Sequence, residues 1–309
     1  MQMNDKIFAV VNPLSSNGRT GKEWPQFEKT IKDAGISFDW QYTNYPLHAI
    51  EITGNALKAG YNTIISVGGD GTMNEVLNGF FENGNKLNKD ADLTVFSRGT
   101  GCDFIRTLGM ENSVENLINI LKSDNYITCD IGLCNFIKYD GEKTTRYFLN
   151  VSDVGIGGET TYRVNRNSKA LKGFLSFLIG TVSTIIVYKN KNLNIIIDDE
   201  IQINERINTI IIANGRYFGG GMHVAPLAKI NDGVFDIIIL GDFTKAELIA
   251  NFPKIYKGTH LKFHKVRRYL GKSIKVSSPD MALVELDGEQ PGTIEAEYQL
   301  IPEGIKVRC

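Results

Sequence analysis

Strand-like and helix-like segments alternate over the first 130 residues, and no other feature of this sequence narrows its fold as far. Short apolar runs fall at 7–11, 38–42, 63–67, 93–96 and 126–131. Between them, Trp24, Phe27, Ile31 and Ala34 share one helical face, and Gly35 follows as a natural C-terminal cap. Ala49, Ile52, Thr53, Ala56 and Leu57 make a second stripe ending at Gly60, and Met73, Val76, Leu77, Phe80 and Phe81 make a third. The alternation predicts a mostly parallel sheet covered by helices.

After about residue 132 the texture changes. The runs "TRYFLNVS", "NLNIIIDDEIQI", "INTIIIANG", "VFDIIIL" and "SIKVSS" are rich in β-branched residues and separated by Asn, Asp and Gly turns. They predict an antiparallel β-sandwich, interrupted by two helices near 171–188 and 244–258. The length of 309 residues suits two domains of roughly 150 each. The fold class expected is thus an α/β domain over 1–132 followed by an all-β domain over 133–293.

With 34 basic and 35 acidic residues the net charge is −1, so no whole-molecule field would gather nucleic acid, and none is expected as a partner. The four cysteines, 102, 129, 134 and 309, show no CxxC spacing, and the chain enters the strand-like "KIFAVV" almost at once. A reducing, cytoplasmic setting without disulfides is expected. The longest uncharged run, 173–188, has 16 residues, short of the roughly 20 that a membrane-spanning helix needs.

Three strand-to-helix turns carry the chemical signal. "NPLSSNGRTGK" (12–22) crowds hydroxyl, amide and basic groups before a helix, "VGGDGTMNEVLNG" (67–79) packs glycines around Asp70, and "SRGTGCDFIRTLG" (97–109) follows the fourth strand. Helix N-termini and glycine turns collect unpaired N–H donors, and three at the carboxyl edge of one sheet point to a phosphate site. Neither GxxxxGK[ST] nor GxGxxG is present; the Gly271-Lys272-Ser273 triplet has Val266 where the first needs glycine. An aspartate in such a turn repels phosphate unless a hard cation lies between them, so Asp70 points to Mg²⁺-assisted phosphoryl chemistry. The alternative is an N-cap for a helix beginning near Thr72.

"VNPLSS", "VGGDGTMNEVLNG" and "GTGCDFIRTLG", in this order, resemble the diacylglycerol kinase-like lipid kinases, especially the soluble bacterial members. The resemblance continues through "CDIG", "NGRYFGGGMHVAPLAKINDGVFDIIIL" and "VELDGEQ" and spans almost the whole chain. The motif GGDGT also occurs in NAD kinases and phosphofructokinases; the downstream motifs narrow the choice. The resemblance implies an NAD kinase/diacylglycerol kinase-like nucleotide domain, a β-sandwich lipid domain, and a chain end, 294–309, that returns to the first domain. It implies transfer of the γ-phosphate of ATP to a lipid hydroxyl with Mg²⁺. The implied nucleotide contacts are Asn12, Pro13, Leu14, Ser15, Ser16, Thr43, Gly69, Asp70, Gly71, Thr72, Met73, Asn74, Glu75 and Thr100. At Thr43 the glycine and acid usual after it are replaced in "TNYPLHA".

In "LDGE" the resemblance makes Glu289 the general base that takes the lipid hydroxyl's proton. Asp287, Asp70 and Asp130 complete an acidic network around metal and water. By residue type alone, Asp287-Gly288-Glu289 reads as a hairpin turn, which Asp-Gly strongly favours. The resemblance also implies a structural Mg²⁺ on Asp232 and the carbonyls of Lys229 and Val234, where the plain reading of Asn-Asp-Gly is a turn. Ser97 and Cys102 stand where the family usually has proline and asparagine, which puts nucleotide contacts there in question.

The expected partners are a lipid substrate at the membrane surface, met by transient peripheral contact, and a second copy of the chain as a homodimer. The 173–188 stretch, with Phe174, Phe177, Leu178 and Ile185 and with Lys169, Lys172, Lys189 and Lys191 at its ends, is a candidate lipid entrance or an ordinary buried helix. The basic run "KFHKVRRYL" (262–270) is a headgroup contact or a solvated strand face. The rival functions are an NAD kinase-like enzyme and a non-catalytic nucleotide- or lipid-binding regulator.

Overall fold

The computed structural model describes residues 6–99, 101–167 and 174–309, without the side chains of 165–177. Thr100, Lys169, Lys172 and Gly173, and the side chains of Phe174 and Phe177, lie outside the described residues. The chain divides into two compact units, Met1–Cys129 with Glu303–Cys309, and Asp130–Pro302.

The first unit holds β1 (Ile7–Val11), β2 (Asp39–Tyr42), β3 (Thr63–Gly68), a small hairpin of β4 (Phe81–Glu82) and β5 (Asn85–Lys86), and β6 (Asp92–Ser97). Its helices are α1 (Ser15–Asp33), α2 (His48–Lys58), α3 (Asp70–Gly79), α4 (Asp103–Leu108) and α5 (Val114–Lys122). The sheet runs β2-β1-β3-β6 with every pair parallel. Lys306 and Val307 add a further parallel strand opposite Asp92 and Leu93. Every residue of β3 and β6 is buried, as a parallel sheet covered on both faces requires. Ala9, Val11, Ile65 and Val67 pack with Trp24 and Ile31 of α1 and Leu117 and Leu121 of α5. Val10 and Ile64, which point the other way, are equally buried where α2 packs on β1 and α3 on β3.

The third apolar stripe overruns its helix. α3 stops at Gly79, where a Cβ would come within 2.6 Å of the Ile50 carbonyl of α2, and Phe81 enters the hairpin instead.

The second unit takes up most of β7 (Tyr126–Ile137), β8 (Lys143–Phe148), β9 (Val151–Gly155), β10 (Lys191–Ile197), β11 (Ile201–Ile207), β12 (Thr209–Ala213), β13 (Phe235–Leu240), β14 (Val266–Gly271), β15 (Ser273–Ser277), β16 (Leu283–Leu286) and most of β17 (Glu289–Arg308). Its helices are α6 (Ile156–Asn167), α7 (Phe174–Val187) and α8 (Lys245–Tyr256). One antiparallel path runs β14-β13-β12-β9-β16-β17, and β10 pairs with β11 and β15. Ile210, Ile212, Ile237 and Ile239 face the sandwich interior with Leu193, Ile195, Ile274 and Val276. Their alternates, Ile211, Ala213, Ile238 and Leu240, pack with Met222, Val224, Leu248, Phe252 and Ile255. A sheet face covered by α8 explains why "TIIIA" and "FDIIIL" are apolar without alternation.

Helix α6 is a third helix where two were expected. At its start, Ile156-Gly157-Gly158, a Cβ on Gly157 would lie 2.6 Å from the Asp153 carboxylate and one on Gly158 2.6 Å from the Leu283 carbonyl. The glycines let the helix press onto β9 and β16, and packing overrides propensity. Among the described residues, no helix is long and apolar enough to cross a membrane.

Candidate active site

In the first unit the candidate residues gather where the strands end. The Asn12 amide donates to Thr72 Oγ1 at 3.0 Å, and Asn12 Oδ1 accepts from the Leu14 N–H at 3.0 Å. The Ser15 hydroxyl lies 2.9 Å from the Asn12 carbonyl and 2.6 Å from the Thr20 hydroxyl. Ser16, Asn17 and Gly18 then take positive φ values of 52°, 58° and 80°, strained for serine and easier for asparagine and glycine. Pro13 lies against Gly21, where a Cβ would come within 2.9 Å of the proline Cβ, and Leu14 is exposed. The Thr43 N–H donates to the Val11 carbonyl at 2.9 Å, which keeps Thr43 at the same sheet edge.

Asp70 does not cap its own helix. Gly69 is the N-cap residue of α3 and Asp70 is the first helical residue. Its Oδ1 accepts instead from the N–H groups of Asp103 at 3.1 Å and Phe104 at 3.4 Å, the opening turn of α4. The second and third loops are thereby clamped together. Backbone contact reinforces the clamp, because a Cβ on Gly99 would lie 2.6 Å from Gly69 Cα. One on Gly101 would lie 2.8 Å from Asp70 Oδ2 and 3.0 Å from the buried Asp103 carboxylate. Gly71 follows in the same helical turn; Thr72, Met73 and Asn74 are buried beneath it. Glu75 turns to α2, its two oxygens accepting from the Leu47 and Ala49 N–H groups at 3.0 and 3.2 Å.

Cys102 takes a left-handed conformation, φ 53°, before α4. Burial pushes its thiol up, which disfavours a reactive thiolate. The Asn112 amide donates to the Ser97 carbonyl at 2.7 Å and reaches Cys102 Sγ at 3.8 Å.

In the second unit Asp130 is buried, and its N–H donates to the Ile230 carbonyl at 2.7 Å while its Oδ2 accepts from the Gly233 N–H at 2.8 Å. It therefore holds the turn that carries Lys229, Asp232 and Val234, of which Lys229 and Asp232 are exposed. One carboxylate and two backbone carbonyls are an all-oxygen donor set, the kind a hard cation takes. Among the described residues, no three His, Cys, Asp or Glu side chains cluster as metal ligands.

Asp287 and Gly288 form a two-residue hairpin turn with φ of 48° and 90°, so the hairpin reading of this motif holds whatever else it does. The Asp287 carboxylate is buried and accepts from the N–H groups of Leu149, Asn150 and Val151 at 2.8, 2.9 and 3.1 Å. Glu289 follows, half-buried, as the first residue of β17.

Sequence reasoning missed two acids in this region. Asp153 on β9 and Glu285 on β16 sit opposite each other in the strand pairing, and both are buried. Burial pushes Asp153 up to about 6 against the pull of Thr209 and the Gly157 and Gly158 N–H groups. Burial raises Glu285 well above the ordinary carboxylate range. Asp153 lies in the wall of an apolar cavity lined by Ile156, Ile211, Met222, Phe252 and Ile255. Nothing local in the sequence marks either acid as buried; the face of β9 and β16 that carries them is covered by α6, and α7 and α8 also line the cavity beside Asp153.

Residues 6–134 match the family described as the diacylglycerol kinase catalytic domain, and residues 150–309 match the YegS C-terminal NAD kinase beta sandwich-like domain. A diacylglycerol kinase of Staphylococcus saprophyticus is 28% identical over 312 residues, covering 99% of this chain and 95% of that protein. One of Staphylococcus haemolyticus is 28% identical over 305 residues, covering 96% and 86%. The crystal structure of a diacylglycerol kinase from Bacillus anthracis shares the fold with a TM-score of 0.71 at 18% identity, covering 100% of this chain and 98% of that one. An NAD kinase from Archaeoglobus fulgidus in complex with ATP is more distant in fold, with a TM-score of 0.52 at 14% identity over 97% of this chain and 92% of its own. With both of its units matched in order, the chain belongs to the diacylglycerol kinase-like family of lipid kinases.

Proposed function

We propose that this protein transfers the γ-phosphate of ATP to the free hydroxyl of a diacylglycerol. The observation that carries the reading is the clamp of Asp70 on the start of α4, with Gly69 against Gly99, which fixes two phosphate-type loops in one arrangement. Phosphoryl transfer depends on such fixed positioning and on charge stabilisation more than on covalent chemistry.

In this reading the nucleotide lies along Asn12 to Ser16, Thr43, Gly69 to Glu75 and Thr100, with loop N–H groups offsetting phosphate charge. Asp70 would help hold Mg²⁺, which would neutralise developing charge on the phosphate oxygens, and Asp232 with the carbonyls of Lys229 and Val234 would hold a second, structural Mg²⁺. Glu289 accepts the acceptor hydroxyl's proton. Asp287, fixed by three N–H groups, and Asp130, fixed on the Ile230–Gly233 turn, keep their segments in place. An acyl chain occupies the apolar cavity beside Asp153. Ile179, Val182 and Ile186, exposed at helical spacing on α7, face the bilayer.

The test is incubation of the purified protein with radiolabelled ATP, Mg²⁺ and vesicles containing diacylglycerol. Labelled phosphatidate is expected, and Glu289→Gln should lower kcat by about 10² to 10⁴ with the fold intact. No labelled lipid, or label appearing on NAD instead, defeats the reading.

A further inference from the structure

Glu285 and Asp153 are a directly opposed pair on adjacent antiparallel strands, with Val284 opposite Val154 and Leu286 opposite Ser152. Side chains so paired share one face and start from Cβ atoms about 5 Å apart. Two carboxylates that close and out of water cannot both remain charged, so the pair must hold a proton.

The hydrogen bonds decide where it sits. Asp153 Oδ1 accepts from the Gly158 N–H at 3.1 Å and Oδ2 from the Thr209 hydroxyl, so both oxygens are served as an anion needs. Glu285 Oε1 accepts from the Gly288 N–H, but Oε2 is buried with no partner among the described residues. An ionised oxygen without a donor is far costlier there than a neutral acid. The other groups acting on Glu285 give it no relief, since Asp287 of the turn and Glu289 of β17 are acids too. On α6, Glu159 is paired with Arg163 at 2.6 Å. Tyr298 of β17 reaches the Ser152 hydroxyl at 3.1 Å, and Tyr188, beyond α7, is itself pushed up by burial and by Asp153.

We propose that Glu285 is the neutral acid of an acid–anion pair with Asp153, and that in this form it acts as a positioning residue, holding the Gly288 N–H and thus the turn that presents Glu289. The functional half rests on Glu289 being the base. Loss of the Glu285 proton at high pH would put a second charge beside Asp153 and loosen the turn.

Infrared spectra of the wild-type protein at neutral pH should show the carbonyl stretch of a protonated carboxylic acid, and Glu285→Gln should remove it. This readout does not depend on any kinase activity. In phosphoryl-transfer assays, Glu285→Gln, which mimics the neutral acid, should keep kcat within about twofold and lose the alkaline limb of the pH profile. Glu285→Asp, too short to reach the turn, should lower kcat about tenfold, the cost of one backbone hydrogen bond. No protonated carboxyl, or one unchanged in Glu285→Gln, overturns the assignment. A folded but inactive Glu285→Gln, or one keeping the alkaline limb, overturns the positioning role. An inactive wild type with the Glu285 band present would instead defeat the kinase reading alone.

Discussion

The two units of this chain set their acids in different surroundings, although backbone N–H groups serve in both. In the first, Asp70 stands at the end of a strand, in a loop where glycines bring backbone to within contact, and its charge is met by the N–H groups of a neighbouring helix. In the second, Asp153 and Glu285 lie inside strands beneath a covering helix, and Asp287 is ringed by three N–H groups. The glycine turn that carries Asp70 is legible locally, although the α4 N–H groups that hold its carboxylate come from residues far along the chain. Strand acids are held by layers that meet only after folding.

The contrast can be broken most sharply at Asp70. Asp70→Asn removes the charge while an amide oxygen can still accept from α4, so kcat should fall by about 10² or more while ATP affinity changes little. Calorimetric titration with nucleotide separates the two; affinity falling in step with turnover would make Asp70 part of the nucleotide cradle and no different in kind from its glycine neighbours.

Next in size is the pH dependence of Asp153. Its carboxyl is raised in the folded state to about 6 from an ordinary 3.8, so the folded protein binds the proton more tightly than the unfolded chain. Its stabilising share is complete below about pH 4 and lost as pH rises through 6. Asp153→Asn should therefore melt higher than wild type at pH 7, by about 3 kcal/mol at most, with the advantage shrinking toward pH 4. An advantage that is the same at both pH values would mean that Asp153 is not strained by burial.

Gly99→Ala tests the loop side of the contrast. The new methyl would meet Gly69 Cα, so the second and third loops must part, and the KM for ATP should rise about tenfold with a smaller change in kcat. The smallest effect is expected at Thr244, whose side chain and Glu247 form a reciprocal cap on α8. Thr244→Ala should cost about 1 kcal/mol in thermal unfolding and leave nucleotide binding in the first unit unchanged.

Legibility in the sequence follows the same division. The strands of the first unit and its three turns were readable because parallel strands buried on both faces make unbroken apolar runs, and phosphate-type turns demand glycine. The antiparallel unit was readable as a class through "TIIIA" and "FDIIIL". Helix α6 was not, since Gly157 and Gly158 serve contacts with Asp153 and Leu283 that no local pattern reveals. Nor was the tie of Glu75 to α2, or of Asp130 to the Ile230–Gly233 turn, because each joins residues far apart in the chain. Asp153 and Glu285 were not singled out, because a single sequence carries no sign that helices will cover their strands.

Strand β17 has a practical consequence. It opens at Glu289 in the second unit, yet its end supplies a strand of the first, where Arg308 sits in a buried ion pair with Asp92 at 2.7 Å. In genetic terms the second unit is an insertion into the first. A fragment stopped at Cys129 would expose the β6 edge and strand the Asp92 carboxylate without its cation, inviting aggregation. The first unit is therefore better made as a split protein, residues 6–129 refolded with a synthetic peptide of Glu303–Cys309, than as a simple truncation.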